Sequence, residues 1–432
     1  MLPFDFQNDF IMNDTSKVVR SFEGVLGCFE EGTKYKKSPP TGPPDHLEDL
    51  SDEDLKSLQR TVYGENLNDK HFSYESIALV EDPKPIEVSL PTLKDLENLN
   101  VCGIDGSNQR VERSAFYFIL ARAAIVEFRY STTNKKPYFY NKLLDGNAVI
   151  WVDGNVFSDE VSIHTTKFIA GNREEKNILA DVLENPELPF LFRYSPNETD
   201  KKPSSHALGW AVKLQFALEL ACIKEIPTDV ETVCIKDGPL FSTSVTPEDT
   251  IFGLNPIFSW SDQVLISCSK RVKDSRLLVE AIQLISDLRE YWFSGQNITD
   301  QTLQQVSTDS ILLPRLLHPG YRTPLMEAVP RSRKRVVKKE PRLMPLTCYY
   351  LSKHQPHTYI RIEVPKFMWE RDPKKVEKAI SIVAWQHELG HRAPLVQLAS
   401  DLRCQLGYEK AILEKQTISH LYKNNLDFPE DY

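Results

Sequence analysis

Long apolar runs are missing from this 432-residue chain. No stretch approaches the ~18–20 uncharged apolar residues that a membrane helix needs, so no membrane role is expected. The start, MLPFDFQNDFIMNDTSK, has no basic end followed by an apolar run, and it is not read as a secretory signal. Paired cysteines are missing too. The seven present (Cys28, Cys102, Cys222, Cys234, Cys268, Cys348 and Cys404) are scattered, odd in number and never spaced C-x-x-C. That argues against a disulfide framework or a zinc knuckle and fits a reducing cytoplasm. The 17 glycines and 28 prolines follow no Gly-X-Y period, which excludes a collagen-like chain. No repeat of fixed period is visible. What remains is a globular balance, 41% hydrophobic and 26% charged, so wholesale disorder is excluded. At roughly 150 residues per domain, the length implies two or three domains or one large core with insertions. A net charge of −9 excludes a generally polycationic surface but not a local basic channel.

Residues 1–95 read as a separate N-terminal region. It contains a proline-rich break, SPPTGPPDHL (38–47), which no helix or strand crosses. An acidic stretch follows. Ser51 before Asp52, Glu53 and Asp54 reads as a helix N-cap with acids in the first turn, either a solvated helix or a docking surface. From about residue 96 the texture changes to strands alternating with helices. LNVCGIDGSNQRVE reads as a strand ending in a turn, and SAFYFILARAAIVEFRYS as a strand or a buried helix. NAVIWVDG (147–154), 231–241, 262–271 and 357–369 read as further strands. Residues 172–188, 206–224, 274–293 and two C-terminal segments, VEKAISIVAWQHELG and LVQLASDLRCQLGYEKAILEK, read as helices. The pattern is α/β or α+β with an at least partly parallel sheet.

Four constellations carry chemistry. The first is a pair of Asp-Gly strand ends, Ile104-Asp105-Gly106-Ser107 and Ile235-Lys236-Asp237-Gly238-Pro239. On neighbouring strands, both carboxylates would converge at one sheet edge and suit Mg²⁺ or Mn²⁺, which take hard oxygen ligands. Asp-Gly is also a common turn dipeptide, and Asp145-Gly146 and Asp153-Gly154 are read as turns. The second is Lys270, at the end of another apolar strand, either a surface charge or a contact for a phosphate oxygen. The third is His387-Glu388-Leu389-Gly390-His391, which matches H-E-x-x-H on a helix and would make a zinc site with Glu388 as base. Arg392-Ala393-Pro394 follows at once, and nothing marks a third ligand. The fourth is a basic loop over residues 330–342. Arg331, Arg333, Lys334, Arg335, Lys338, Lys339 and Arg342 face one acid, Glu340, between two flanking prolines. It is either a solvated loop or a phosphate-backbone contact.

In order and spacing, several pieces resemble the NurA nuclease family. They are GIDGS (103–107), the apolar segment after it, CIKDGPL (234–240), SKR (269–271), YIRIEVP (359–365) and GHRAPLVQLASDL (390–402). The resemblance covers about residues 96–420. It implies an α/β fold with an RNase H-like mixed sheet flanked by helices, plus an extra N-terminal region and insertions. It implies a deoxyribonuclease using Mn²⁺ or Mg²⁺ that resects 5′ ends and cuts single strands. The implied partners are single-stranded DNA and duplex ends, a second copy of the chain, and HerA, a hexameric DNA-pumping ATPase. The implied setting is cytoplasmic, in break repair or anti-phage defence. Residues 1–95 would then dock the partner or dimerise, 96–420 form the nuclease domain, and 421–432 a tail.

Carried over residue by residue, Asp105 and Asp237 match the two metal-binding aspartates. Glu219, in QFALELAC, matches the helix glutamate, with Gln215 one turn away as the alternative. Lys270 matches a lysine after a later strand. Pro394 matches the C-terminal proline, and seven residues on Asp401 stands where the family has histidine. The implied catalytic set is Asp105, Glu219, Asp237, Lys270 and Asp401, with the four acids holding metal. Arg331, Arg333, Lys334, Arg335, Lys338 and Lys339 would contact DNA. Two readings from other classes stay open: a zinc metalloprotease built on His387 and His391, and a decayed nuclease fold that binds DNA without cutting it.

Overall fold

Runs rich in β-branched and aromatic residues form the strands, and proline or glycine punctuates them. The computed structural model describes residues 73–129 (apart from 93, 98, 114 and 115), 138–153, 162–170, 203–241, 247–270, 275–293, 308–330, 340–355, 358–407, 410, 411 and 415. In chain order the elements begin with β1 (Tyr74–Leu79) and β2 (Ile86–Glu87). Four long strands follow: β3 (Asn100–Arg113), β4 (Phe116–Arg129), β5 (Tyr138–Asp153) and β6 (Ser162–Ala170). Helix α1 (Pro203–Lys224) leads to β7 (Thr232–Asp237), and α2 (Pro247–Leu254) leads to β8 (Gln263–Ser269). Then come α3 (Leu277–Leu284), α4 (Ser286–Trp292), α5 (Asp309–Leu316), β9 (Tyr321–Arg322), β10 (Met326–Pro330), β11 (Pro345–Leu351) and β12 (Tyr359–Pro365). Helices α6 (Lys366–Arg371), α7 (Pro373–Gly390) and α8 (Leu395–Cys404) close the described chain.

The result is a mixed α/β fold. Along one sheet the strands lie in the order β1-β10-β11-β12-β8-β7-β3-β4-β5-β6, with β2 and β9 paired beside β11. Strands β3 to β6 form an antiparallel meander. β7 lies parallel to both β3 and β8. Parallel neighbours need long crossovers, and helices α1 and α2 lie in those connections. One large core packs α1 and α7 against β3, β7, β8 and β12. A second core gathers α3 and α5 with β1, β10 and β11.

Several sequence expectations change. β3 does not turn at Asp105-Gly106. It runs on to Arg113, fully paired with β4. Asp145-Gly146 lies inside β5, paired with Arg122 and Ala121 of β4. A dipeptide preference for turns yields here to ladders closed on the neighbouring strand. The apolar segment after β3, left between strand and helix, is strand β4. The expected helix over 274–293 is two helices, because Ile285 is extended (φ −112, ψ 105). Periodicity could not reveal this, since Leu277 to Ile282 are buried all round. β12 stops at Pro365 and a helix begins at Lys366, short of the expected strand end. The helix expected over 172–188, the acidic stretch after Pro44, residues 331–339 of the basic loop and the 421–432 tail lie outside the described residues.

Two close contacts set the geometry near the strand ends. Gly103 of β3 lies under the backbone of Val396 at the start of α8, and a Cβ there would overlap the Val396 carbonyl oxygen. A buried ion cluster ties distant segments together. Arg322, 1% exposed, donates to both Glu81 carboxylate oxygens at 2.7 and 2.8 Å and also to Glu377 of α7.

Gly103→Ala should therefore push α8 off the sheet and destabilise the protein by about 2–4 kcal/mol. Denaturant unfolding checks it, and a loss below about 1 kcal/mol would show that α8 is free to shift.

Candidate functional site

β3 and β7 are parallel and in register up to Ile104 beside Lys236. One residue on, Asp105 and Asp237 are side by side at the ends of that pairing. Side chains alternate along a strand, so these two point to one face while Ile104 and Lys236 point to the other. Gly103 shares the face of Asp105 and meets α8, whereas Gly106 faces Gln215 and Glu219 of α1. In β8, Cys268 pairs with Asp237, and Lys270 follows two residues later on the same face. Helix α8 crosses this face and carries Gln397 and Asp401 one turn apart.

Lys270 sits among the three aspartates. Its Nζ is 3.3 Å from Asp237 Oδ2, 3.4 Å from Asp401 Oδ2 and 3.7 Å from Asp105 Oδ2. Burial works against the Lys270 charge, but Asp237, Asp105 and Asp401 outweigh it and hold the ammonium above the usual lysine value. Asp105 is only 3% exposed. Its Oδ1 accepts from Gly106 N at 2.8 Å, while Oδ2 has no hydrogen-bond partner. Burial, followed by the Asp237 and Glu219 charges, pushes the Asp105 carboxyl up to about 9 against the pull of Lys270. Without further positive charge, Asp105 therefore keeps its proton at neutral pH. Asp401 is the open member, with 48% of its side chain exposed.

Glu219 lies across the sheet from this cluster. Its Oε2 is 2.6 Å from Lys236 Nζ, and its Oε1 accepts from Gln215 Nε2 at 2.8 Å. Gln215 also donates to Gly106 O at 2.9 Å and accepts from Asn108 Nδ2 at 2.5 Å. Both residues named for the helix position thus belong to one network behind the strand end. The structure groups Asp105, Asp237, Lys270 and Asp401 directly, and joins Glu219 to them through its effect on Asp105.

Sequence reasoning missed four supporting residues. Gln397 Nε2 donates to Asp237 Oδ1 and to Cys268 O, the latter at 2.9 Å, which turns Asp237 Oδ2 toward Lys270. Its signal was its place one helical turn before Asp401. Glu363 of β12 accepts from Leu240 N at 2.7 Å, and Ser267 Oγ donates to Gly238 O, so the turn after Asp237 is held at two points. That turn needs glycine, since Gly238 has φ +73. Cys404 is the fourth. One oxygen each of Asp105 and Asp401 and the Cys404 sulfur all lie within 4.8 Å of one another.

A divalent cation fits this donor set. Mn²⁺ and Mg²⁺ take carboxylate oxygens, three carboxyl groups surround the one ammonium, and the buried Asp105 Oδ2 accepts no hydrogen bond. The H-E-x-x-H segment behaves differently. The Glu388 carboxylate accepts from Tyr350 Oη, Ser352 Oγ, Lys353 N and His354 N at 2.8–3.2 Å. Burial opposes its charge, but these bonds hold it below the usual glutamate value. It is consumed as an anchor for the β11–β12 turn rather than poised as a base. His387 is buried, while His391 follows the end of α7 with φ 64 and is exposed.

No family model matches the chain. No curated protein matches it either. Among solved structures it is similar to the NurA nuclease from Sulfolobus solfataricus, at 10% identity over 96% of this chain and 98% of that one, with a TM-score of 0.33. At that TM-score the likeness carries no weight for fold or function.

Two outcomes are expected. Asp105→Asn removes a buried acid that resists ionising, so metal-free protein should gain about 1–3 kcal/mol at pH 8, shrinking toward pH 4–5 where the unfolded carboxyl also protonates. Mn²⁺ should raise Tm for the wild type and not for this variant, which thermal melts at the two pH values read directly. Burial also lowers the His387 imidazole to about 4. The unfolded chain then binds the extra proton between about pH 6.5 and 4, so stability falls as pH drops through that window. His387→Phe should flatten that acid loss by on the order of 2–3 kcal/mol. An unchanged pH–stability curve would contradict it.

Proposed function

We propose that this chain is a metal-dependent deoxyribonuclease. The observation that carries the reading is the convergence of Asp105, Asp237 and Asp401 on Lys270 where the parallel pairing of β3 with β7 ends. Asp105, Asp237 and Asp401 would hold one or two Mn²⁺ or Mg²⁺ ions, with Glu219 joining if Lys236 releases it. When bound, such ions supply an activated water and neutralise charge developing on a phosphodiester. Gln397 keeps Asp237 oriented. Lys270, relieved of part of its acidic surroundings, offers its ammonium to a non-bridging phosphate oxygen. The exposure of Asp401 gives a substrate backbone a way in. The antiparallel meander joined to two parallel strands supports the RNase H-like reading of the sheet.

The wider assignment follows the sequence resemblance to the NurA family. The substrate is DNA, single-stranded or at duplex ends. Arg331, Arg333, Lys334, Arg335, Lys338 and Lys339 contact its phosphates in a salt-sensitive way. The chain works as a homodimer in the cytoplasm with a HerA-like hexameric ATPase, docked through residues 1–95, in break repair or phage defence. Residues 96–420 form the nuclease domain.

The test is cleavage of end-labelled single-stranded DNA in Mn²⁺, alone and with the ATPase. Asp105→Asn and Asp237→Asn should each lower the rate by about 10²–10³-fold or more while remaining folded. Full activity in either folded variant overturns the site. A wild type that binds DNA and never cuts, even with the ATPase present, favours the decayed scaffold. Deleting residues 1–60 should weaken co-purification with the ATPase, and unchanged complex formation would count against the docking role.

A further inference from the structure

Helix α8 presents more to the acid cluster than its aspartate. Gln397, Asp401 and Cys404 are spaced i, i+4 and i+7, one stripe along the helix. Cys404 is fully buried and packs on Ala124 of β4, directly beside Asp105 in the ladder. The Arg122 guanidinium bonds to Gln405 O at 3.3 Å and fixes the backbone just past the cysteine. The sulfur lies within 4.8 Å of carboxylate oxygens from both Asp105 and Asp401. A second observation points to a ligand at the same place: Asp105 Oδ2 is buried and accepts no hydrogen bond, with Lys270 Nζ 3.7 Å away.

Donor chemistry then separates two classes of ion. Mg²⁺ and Mn²⁺ favour oxygen and leave a thiol aside. Zn²⁺, and Cd²⁺ as its softer analogue, take thiolate together with carboxylate in a tetrahedron. Ligand atoms in such a tetrahedron lie about 3.5 Å apart, so small side-chain rotations close the present spacing. We propose that Cys404, with Asp105 and Asp401, forms a site for thiophilic divalent ions, Zn²⁺ or Cd²⁺, that overlaps the Mn²⁺ or Mg²⁺ site and competes with it. On binding, the Cys404 S–H bond breaks, a metal–sulfur bond forms and the proton leaves to solvent. The inference rests on reading the acid cluster as a metal site, and not on cleavage.

The experiment is a Cd²⁺ titration of the full chain, read by the ultraviolet sulfur-to-cadmium charge-transfer band. One equivalent should produce the band in wild type, Cys404→Ser should lose it, and excess Mn²⁺ should suppress it. Asp401→Asn should weaken Cd²⁺ binding by about tenfold or more. A band of full size in folded Cys404→Ser, no band in wild type, or indifference to Mn²⁺ overturns the proposal. If Cys404→Ser does not fold, wild-type crystals soaked in Cd²⁺ decide it. The anomalous peak should bridge Cys404 Sγ and the two aspartates, and a peak elsewhere or none overturns it. Binding at Cys404 by a chain that never cuts DNA would keep this inference and defeat the nuclease. Cleavage in Mn²⁺ without a thiolate band would do the reverse.

Discussion

The parallel, in-register pairing of β3 with β7 is the constraint on which the rest of the site depends. Matched strands place Asp105 and Asp237 at the same height and on the same face. Two carboxylates so close cannot both ionise cheaply, and burial sharpens the conflict. Lys270, brought in by β8, relieves part of it. The remainder shows as an Asp105 carboxyl pushed up to about 9. The cluster thus holds unfavourable electrostatics that a bound cation would relieve. Two acidic side chains elsewhere among the described residues differ. Glu388 and Glu81 each have donors enough to satisfy them.

Around this pairing, the opposite faces of the sheet do different work. The α8 face holds the acids, Lys270 and Gln397. The α1 face holds their supports: the Lys236–Glu219 pair, Ser267 under Gly238, and Glu363 gripping Leu240. Glycine at 103 lets α8 lie close on the first face. Glycine at 106 gives Glu219 and Gln215 room on the second. Two small residues in one strand therefore define how near each helix comes to the carboxylates between them.

Much of the α/β alternation was legible, because apolar strands and helix faces carry strong local patterns. Asp105, Asp237 and Lys270 stood out because each follows an apolar run. Asp401 entered only through the family resemblance, since an acid in an amphipathic helix looks like any solvated one. Cys404 left no local mark, and Gln397 only its place one turn before Asp401. Their meaning lies in the crossing of α8 over β3, which no window of sequence contains. The passage of β3 through Asp105-Gly106 was hidden for a related reason, as pairing with β4 overrides the turn preference of the dipeptide. The break at Ile285 escaped because the run from Leu277 to Ile282 is buried throughout and gives no sign of where the helix stops.

The Arg322 cluster has a mechanical meaning. Glu81 follows β1, Arg322 closes β9, and Glu377 sits in α7, so one buried guanidinium fastens three segments. Further along α7, Gln386 Oε1 accepts from Val396 N at 3.2 Å, at the first turn of α8. A run of side-chain hydrogen bonds thus leads from the end of β1 through α7 to the helix bearing Asp401. The sheet edge at β1 and the carboxylate cluster are thereby anchored to opposite parts of one helix, α7.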